Sequence, residues 1–478
     1  MCGRRTQRER APRSVMKLLP PLLVVLLPSS ATALDNGLGR LPPLGWSSWN
    51  RWKTAVNETI VLDSARALKT TGLLALGYNH VNIDAGYLLH ERHPGTGKLQ
   101  VDPTKFPRGM RYVADAVHAM GLKLGVYTDI SGHSCTGLGP GSLSHYELDA
   151  ETFAHDWTVD YLKVDFCGPD CGATAGPGAV PVEATAQYAA WQALGMALNA
   201  TGRPIYYSIC PHTNSSGDGV AAAFGHDLIY APPVAWTAAQ RHALANSILV
   251  EFKNTFDMWG GGSHGGLITN IDSMVAATHF NYSVPGSWND ADMLWTCTYG
   301  GTHPQHHMSM SEYRVHHSVW SIFGSPMILS ADVRTVATQY PPGFEDCMGL
   351  LLNKAIVDVN QDNATLPARL VSQHATTDPV TSSSITGQVF ARNLTGDKIA
   401  VLLLNRGSKP TTMNVTWTEL QAIPVLPQRA TVFDVMKQAD AGSASGAFSA
   451  VVPPHDVSYV VLGFRTHRRG TRSSHQDS

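Results

Sequence analysis

The feature that most constrains this chain is an alternation. From Leu44 onward, short β-rich runs take turns with helical ones. The candidate strands are Leu44–Trp49, Tyr78–Asp84, Lys123–Asp129, Val159–Phe166, Ile205–Cys210, Ile248–Lys253, Ser287–Met293 and Pro326–Asp332. Helical segments such as Ile60–Thr71, Met110–Met120 and Val182–Leu198 lie between them. The strands are rich in Val, Ile, Leu and Tyr rather than strictly alternating, as parallel strands covered on both faces are. Eight such strands over about 320 residues predict a (β/α)8 TIM barrel of the α/β class.

After about Asp362 the texture changes. Gln388–Arg392, Lys398–Asn405, Thr411–Thr416, Thr431–Asp434 and Ser458–Leu462 read as short strands separated by Gly, Asn, Ser and Pro. That is the pattern of a C-terminal antiparallel β-sandwich of about 100 residues. The expected organisation is a leader over 1–33, a barrel over 34–362, a sandwich over 363–465 and a polar, basic, disordered tail over 466–478.

The leader rests on charge and length. Arg4, Arg5, Arg8, Arg10, Arg13 and Lys17 precede an apolar run from Leu18 to Leu27, and Ala31-Thr32-Ala33 follows as a small-x-small cleavage signature. This reads as a secretory signal peptide, with Met16 as an alternative start. The run is too short to span a bilayer, and no other stretch reaches the roughly 18 apolar residues that a membrane helix needs. Without the leader, 29 basic side chains face 36 acidic ones, a balance of −7. No basic field is left to hold nucleic acid. Seven Asn-x-Ser/Thr triplets, at Asn57, Asn199, Asn214, Asn281, Asn363, Asn393 and Asn414, agree with a secretory route to the exterior or to a lysosome or vacuole. Six cysteines remain, Cys135, Cys167, Cys171, Cys210, Cys297 and Cys347. Their even number suggests disulfides and leaves fifteen pairings open.

In a parallel barrel the strands' C-terminal ends carry the chemistry. Here those ends bring Trp49, Asp84, Tyr127 with Asp129, Lys163 with Asp165, Cys210, Asn254, Asp290 with Asp292, and Asp332. Carboxylates accept from hydroxyls and aromatic faces stack on the C–H face of a pyranose, so the set suits a sugar. Tyr161–Cys167 is the sharpest signal. Lys163 stands two residues before Asp165, hence on the same strand face, and a cation beside a carboxylate keeps it ionised, as a nucleophile requires. The competing explanation is a structural ion pair at the barrel rim.

Six motifs in order decide between them: Leu41–Asn50 with its Pro-Leu-Gly-Trp core, Asn82–Asp84, Gly121–Tyr127, Tyr161–Cys167, Gly286–Leu294 and Asn360–Asp362. Together they resemble glycoside hydrolase family 27, the α-galactosidase and α-N-acetylgalactosaminidase family, from about Leu34 to Phe464. The resemblance implies retaining hydrolysis by two carboxyl groups about 5–5.5 Å apart, without an organic cofactor. Asp165 resembles the family's nucleophile. Trp49, Asp84, Tyr127 and Lys163 resemble its sugar-contacting positions, and Asp292 the carboxylate beside the reacting sugar. Cys135 and Cys167 look like the disulfide that braces the nucleophile loop. Trp46 and Trp288 are expected in the core instead.

Three departures bear on activity. Ala85 stands where the family usually has a second Asp, the one expected to grip an axial 4-hydroxyl. The fifth strand ends in Ser208-Ile209-Cys210-Pro211 rather than a Glu- or Trp-containing selector. Aligned on Asp257-Met258-Trp259, Val250 falls where an Arg belongs and Asn254 where the acid/base Asp belongs. Asn cannot carry the proton, and losing general acid catalysis costs about 10²–10⁴-fold. Asp257 is therefore the expected acid/base, ahead of Glu251, which has the wrong strand parity; the Gly260–Gly266 segment with His264 is read as a solvated loop. His303-Pro304-Gln305-His306-His307 lacks a second cluster with ligand spacing, so no metal site is expected. No dinucleotide loop, phosphate loop or Gly-x-Ser-x-Gly elbow is present. The expectation is an exo-acting, α-galactosidase-like hydrolase with a carbohydrate partner and a homodimer as candidate assembly. Its rivals are a degenerate glycan-binding homologue and a family member with a changed sugar, such as a β-L-arabinopyranoside.

Overall fold

The computed structural model describes residues 36–166, 184–210, 266–278, 283, 285–286, 288–298, 308–335, 343–364, 367–375, 385–420 and 429–464. Six of the described strands form one parallel sheet: β1 (Leu44–Ser47), β2 (His80–Asn82), β3 (Lys123–Asp129), β4 (Tyr161–Asp165), β5 (Tyr206–Ile209) and β6 (Met327–Leu329). Their order is β5-β4-β3-β2-β1-β6. The last sequence strand thus closes on the first, as in a barrel. The fold is a TIM barrel followed by a C-terminal β-sandwich.

β3 has the predicted bounds, and the other five lie inside theirs. The predicted strand Ile248–Lys253 falls outside the described residues. Of the predicted strand Ser287–Met293, Ser287 also lies outside the described residues; within it Asp290 makes a bridge. Four backbone N–H groups there donate to side chains. Asn289 donates to Ser283 Oγ, Ala291 to Ser325 Oγ, Asp292 to Asp290 Oδ1 and Met293 to Asp292 Oδ1. Leu294 follows with a parallel bridge to Leu329.

The helices form for local reasons. Asn57 caps Glu58–Thr70 by accepting from the Ile60 N–H, and Val61, Leu62, Ala65 and Leu68 give it a buried stripe. Met310–Phe323 starts with a capping box between Ser309 and Glu312 and ends on Gly324 at φ 65°. Inside the barrel, Gly125 faces Asn82 so closely that a Cβ there would lie 2.1 Å from Asn82 Oδ1. A side chain at 125 is therefore excluded.

The C-terminal part holds two sheets. β7 (Arg369–His374), β8 (Gly387–Leu394), β9 (Lys398–Asn405), β11 (Arg429–Asp434), β12 (Ala439–Ser445) and β14 (Asp456–Gly463) pair antiparallel in the order β12-β11-β14-β9-β8-β7. β10 (Thr411–Thr416) pairs with β13 (Ala447–Val452). A second core of Val389, Val401, Leu403, Met413, Val415 and Leu462 fills the space between sheets. β7, β12 and β13 went unpredicted. The other face of the large sheet packs on helix Met310–Phe323, so Phe390, Leu402 and Tyr459 belong to the barrel's hydrophobic core. The buried Arg392 donates to Ser321 O and Asn360 O, placing a cation on helix-end carbonyls.

Candidate active site

Strand parity and sheet register build the site in rows. Asn82 pairs with Gly125 and Gly125 with Tyr161; Tyr127 pairs with Lys163 and Lys163 with Ser208; Asp129 pairs with Asp165. Because side chains repeat every two residues, these rows share the inner face of the sheet and rise toward the strands' C-terminal ends.

Lys163 is the electrostatic centre. Its Nζ donates to Asp84 Oδ2 at 2.9 Å and stands 5.5 Å from the centroid of the Tyr127 ring. The two side chains of this ion pair are 16% and 4% exposed, so water screens it little. Burial works against the ammonium, but Asp165 and Asp84 outweigh it and hold its pKa well above the ordinary lysine value. Asp84 Oδ1 accepts from the Ala85 N–H at 2.8 Å, while Ser48 Oγ accepts from the Asp84 N–H at 3.0 Å. The carboxylate is thereby oriented by its own loop and by the strand-1 loop.

Asp165 ends β4 and is 5% exposed. Its Oδ2 lies 3.2 Å from Cys135 Sγ, which is disulfide-bonded. Cys167, the expected partner of Cys135, falls outside the described residues. The Cys135 N–H donates to Tyr127 Oη at 3.2 Å, tying the loop after β3 to a site side chain. Burial, followed by the charges of Asp165 and Asp129, pushes the Tyr127 phenol well above its ordinary value, so it stays a neutral hydroxyl. Asp129 is fully buried and accepts from Ser131 N and Ser131 Oγ, which makes it a loop-holding residue.

Asp292 is buried with φ 78°, a left-handed conformation unusual for a residue with a side chain. Trp320 Nε1 donates to its carbonyl oxygen at 2.7 Å. Asp84, Lys163 and Asp292 line one small cavity in the barrel together with Ser47, Asn82, Tyr161, Asp290 and Met293. Trp49 begins the short helix Trp49–Trp52 after β1, half-buried, with Lys53 Nζ 4.8 Å from its ring centroid. Trp46 and Trp288 are fully buried, with their indole N–H groups donating to Ala331 O and Gly39 O.

The structure therefore brings Asp84, Tyr127, Lys163 and Asp165 onto one inner face and adds Asp292 across the cavity. Asn82 and Tyr161 were missed as cavity residues, although inward parity from Asp84 and Lys163 points to them. Asp257, Asn254, Val250, Glu251 and His264 lie outside the described residues, as do His303, His306 and His307. Among the described residues no group of three His, Cys, Asp or Glu side chains is placed to hold a metal ion. A second disulfide joins Cys297 to Cys347, a pair the sequence left among its fifteen pairings. Cys210 is buried at the end of β5.

The described family model of α-galactosidase A matches residues 41–219 and 244–362, and that of the α-galactosidase C-terminal β-sandwich domain matches 386–462. The chain belongs to this family. α-Galactosidase 3 of Arabidopsis thaliana is 33% identical over 90% of this chain and 83% of its own length. The α-galactosidase mel1 of Schizosaccharomyces pombe is 32% identical over 80% of each chain. The crystal structure of α-galactosidase I from Mortierella vinacea superposes with a TM-score of 0.68 at 30% identity, covering 90% of this chain and 98% of that one. The family makes the chain an α-galactosidase-like glycoside hydrolase. Among the described residues no helix is long and apolar enough to cross a membrane.

Proposed function

We propose that this chain removes terminal α-linked galactose from oligosaccharides, glycolipids or glycoproteins by a retaining double displacement, with Asp165 as nucleophile. The observation that carries the reading is the row Asp84–Lys163–Asp165: one buried ammonium, bound to Asp84 at 2.9 Å and on the same strand face as Asp165. A cation there favours the ionised form of Asp165, which can then attack the anomeric carbon. Asp84 and Asp292 accept from sugar hydroxyls, Lys163 and Tyr127 donate to them, and Trp49 offers a face to the ring. A second carboxylic acid protonates the departing oxygen and then deprotonates the incoming water; Asp257 is assigned that role. The leader-like segment 1–33 supports delivery through the secretory route to the exterior or to a lysosome or vacuole.

Replacing Asp165 by Asn tests the reading. The variant should keep the fold and lose turnover of p-nitrophenyl α-D-galactopyranoside by at least about 10³-fold, since the covalent route is closed. Retention of more than a tenth of wild-type turnover would reject the assignment.

Ala85 favours a second reading, a changed sugar. Its methyl group is 2% exposed, next to Asp84, where a carboxylate is expected to hold an axial 4-hydroxyl. A panel of nitrophenyl glycosides decides: β-L-arabinopyranoside turned over faster than α-galactoside supports it, and no turnover of any member favours a glycan-binding homologue.

A further inference from the structure

We propose that Asp290 is a positioning residue for Asp292: its carboxyl oxygen, acting as a hydrogen-bond acceptor rather than as a charge, sets the backbone turn that aims Asp292 at the sugar. This inference rests on the site reading above.

The argument starts from the backbone. The N–H groups of Asn289, Ala291 and Asp292 each find a side-chain oxygen. Two of those oxygens, on Ser283 and Ser325, come from elsewhere in the chain. The third is Asp290 Oδ1, which accepts from the N–H two residues on at 2.9 Å and closes a local turn. The residue it holds is the one at φ 78°. A non-glycine residue keeps such a conformation only where its surroundings over-determine it. Here the constraints on Asp292 are its N–H on Asp290, its own Oδ1 on Met293 N at 2.6 Å, and its carbonyl on Trp320 Nε1. The first is the one that another residue's side chain supplies to the Asp292 backbone from within the cavity, which Asp290 lines with Asp292.

The chemistry of Asp290 agrees with an acceptor role. The side chain is 5% exposed, and burial followed by the charge of Asp292 pushes its pKa up to about 7. The groups that face it are Asp292, the Lys163 ammonium, and the buried phenols of Tyr161 and Tyr206. Lys163 is the only cation among these, and it already donates to Asp84. Burial thus favours the neutral carboxyl at Asp290, and a neutral amide of the same shape keeps the acceptor.

Steady-state kinetics on p-nitrophenyl α-D-galactopyranoside test this with the full-length protein. Asp290→Asn, which keeps the acceptor oxygen, should raise KM at least threefold less than Asp290→Ala does. Asp290→Ala should raise KM at least tenfold and change kcat less, because Asp292 loses its aim while the reacting groups remain. Should the alanine variant not fold, Asp290→Ser, a shorter acceptor, takes its place with a KM between those of the other two. Asp290→Asn as impaired as Asp290→Ala, or Asp290→Ala and Asp290→Ser both with wild-type KM, overturns the proposal. If instead wild type shows no turnover, or Asp165→Asn retains it, the site reading fails, and the two failures are told apart.

Discussion

Lys163→Met removes one cation and keeps most of the stem's volume, so its effect is electrostatic. At 2.9 Å and an effective dielectric of 20, the Lys163–Asp84 attraction is about 6 kcal/mol gross. Desolvation of both groups cancels much of that, yet breaking such a pair by deleting one partner still costs about 3–5 kcal/mol, because the other charge is left buried. Without the Lys163 ammonium, Asp84 also loses the contact that fixes the oxygens from which it accepts charge-assisted hydrogen bonds from sugar hydroxyls, and each such bond is worth about 1.5–3 kcal/mol. That converts to a loss of about 10–150-fold in kcat/KM.

The same substitution has a pH signature. An opposite charge nearby favours the ionised form of a carboxyl group, so removing Lys163 disfavours the ionised form of Asp165. Asp165 must be ionised to attack, so the acid limb of kcat/KM should move to higher pH by at least about one unit. The assay is hydrolysis of p-nitrophenyl α-D-galactopyranoside from pH 3.5 to 7.5, with thermal melting to establish folding. A folded Lys163→Met enzyme within threefold of wild type, with its acid limb unmoved, would refute the reasoning.

Two further outcomes follow from other parts of the molecule. His80 and His317 are buried; burial, with Lys123 adding to the effect on His80, lowers their pKa values to about 4 and about 3. The folded state keeps both neutral while unfolded histidines titrate near 6.5, so their contribution is complete above that pH. It falls by up to about 1.4 kcal/mol per pH unit for each group as pH drops, levelling off near the folded values. The urea midpoint should therefore decline from pH 6.5 to 4, with a shallower slope in His317→Gln; an unchanged slope counts against it. The Cys297–Cys347 bond spans 50 residues, and a loop of that length is worth about 4 kcal/mol in chain entropy. Replacing both cysteines by Ala should lower the melting temperature, and an unaltered melt would show that the closed loop is not what stabilises this region.

How much of this was legible depended on where each segment's partners lie. β3 was read to the residue because Lys123–Asp129 carries its own signal: apolar and β-branched residues bounded by a Gly turn. The segment Asn289–Met293 has no β-branched residue and spends its N–H groups on Ser283 and Ser325 oxygens and on its own aspartates, and no periodicity announces that. β12 hid for the opposite reason. Its sequence, Ala-Asp-Ala-Gly-Ser-Ala-Ser, has almost no β propensity, and it forms an exposed edge by pairing with β11. In the site, parity within β4 placed Lys163 and Asp165 on one face. That Lys163 bonds Asp84, 79 residues earlier, follows from the register of three strands, which no local pattern encodes.

The side-chain bonding of Asn289–Met293 and the geometry of Asp292 are one fact seen twice. In a regular parallel strand Asp292 would hold φ near −120°. With its N–H on Asp290 Oδ1 and its C=O on the Trp320 indole, it takes φ 78°, at a backbone cost of about 1–3 kcal/mol. The compensation is local: Asp290 Oδ1, the Met293 N–H and the Trp320 indole each bond the same residue. Three hydrogen bonds at about 0.5–1.5 kcal/mol each are enough to offset that strain, but removing any one leaves the balance near zero. A substrate-facing carboxylate held this way is set by its supports more than by its own rotamer, which is why a residue acting through Asp292 can decide how tightly the sugar is held.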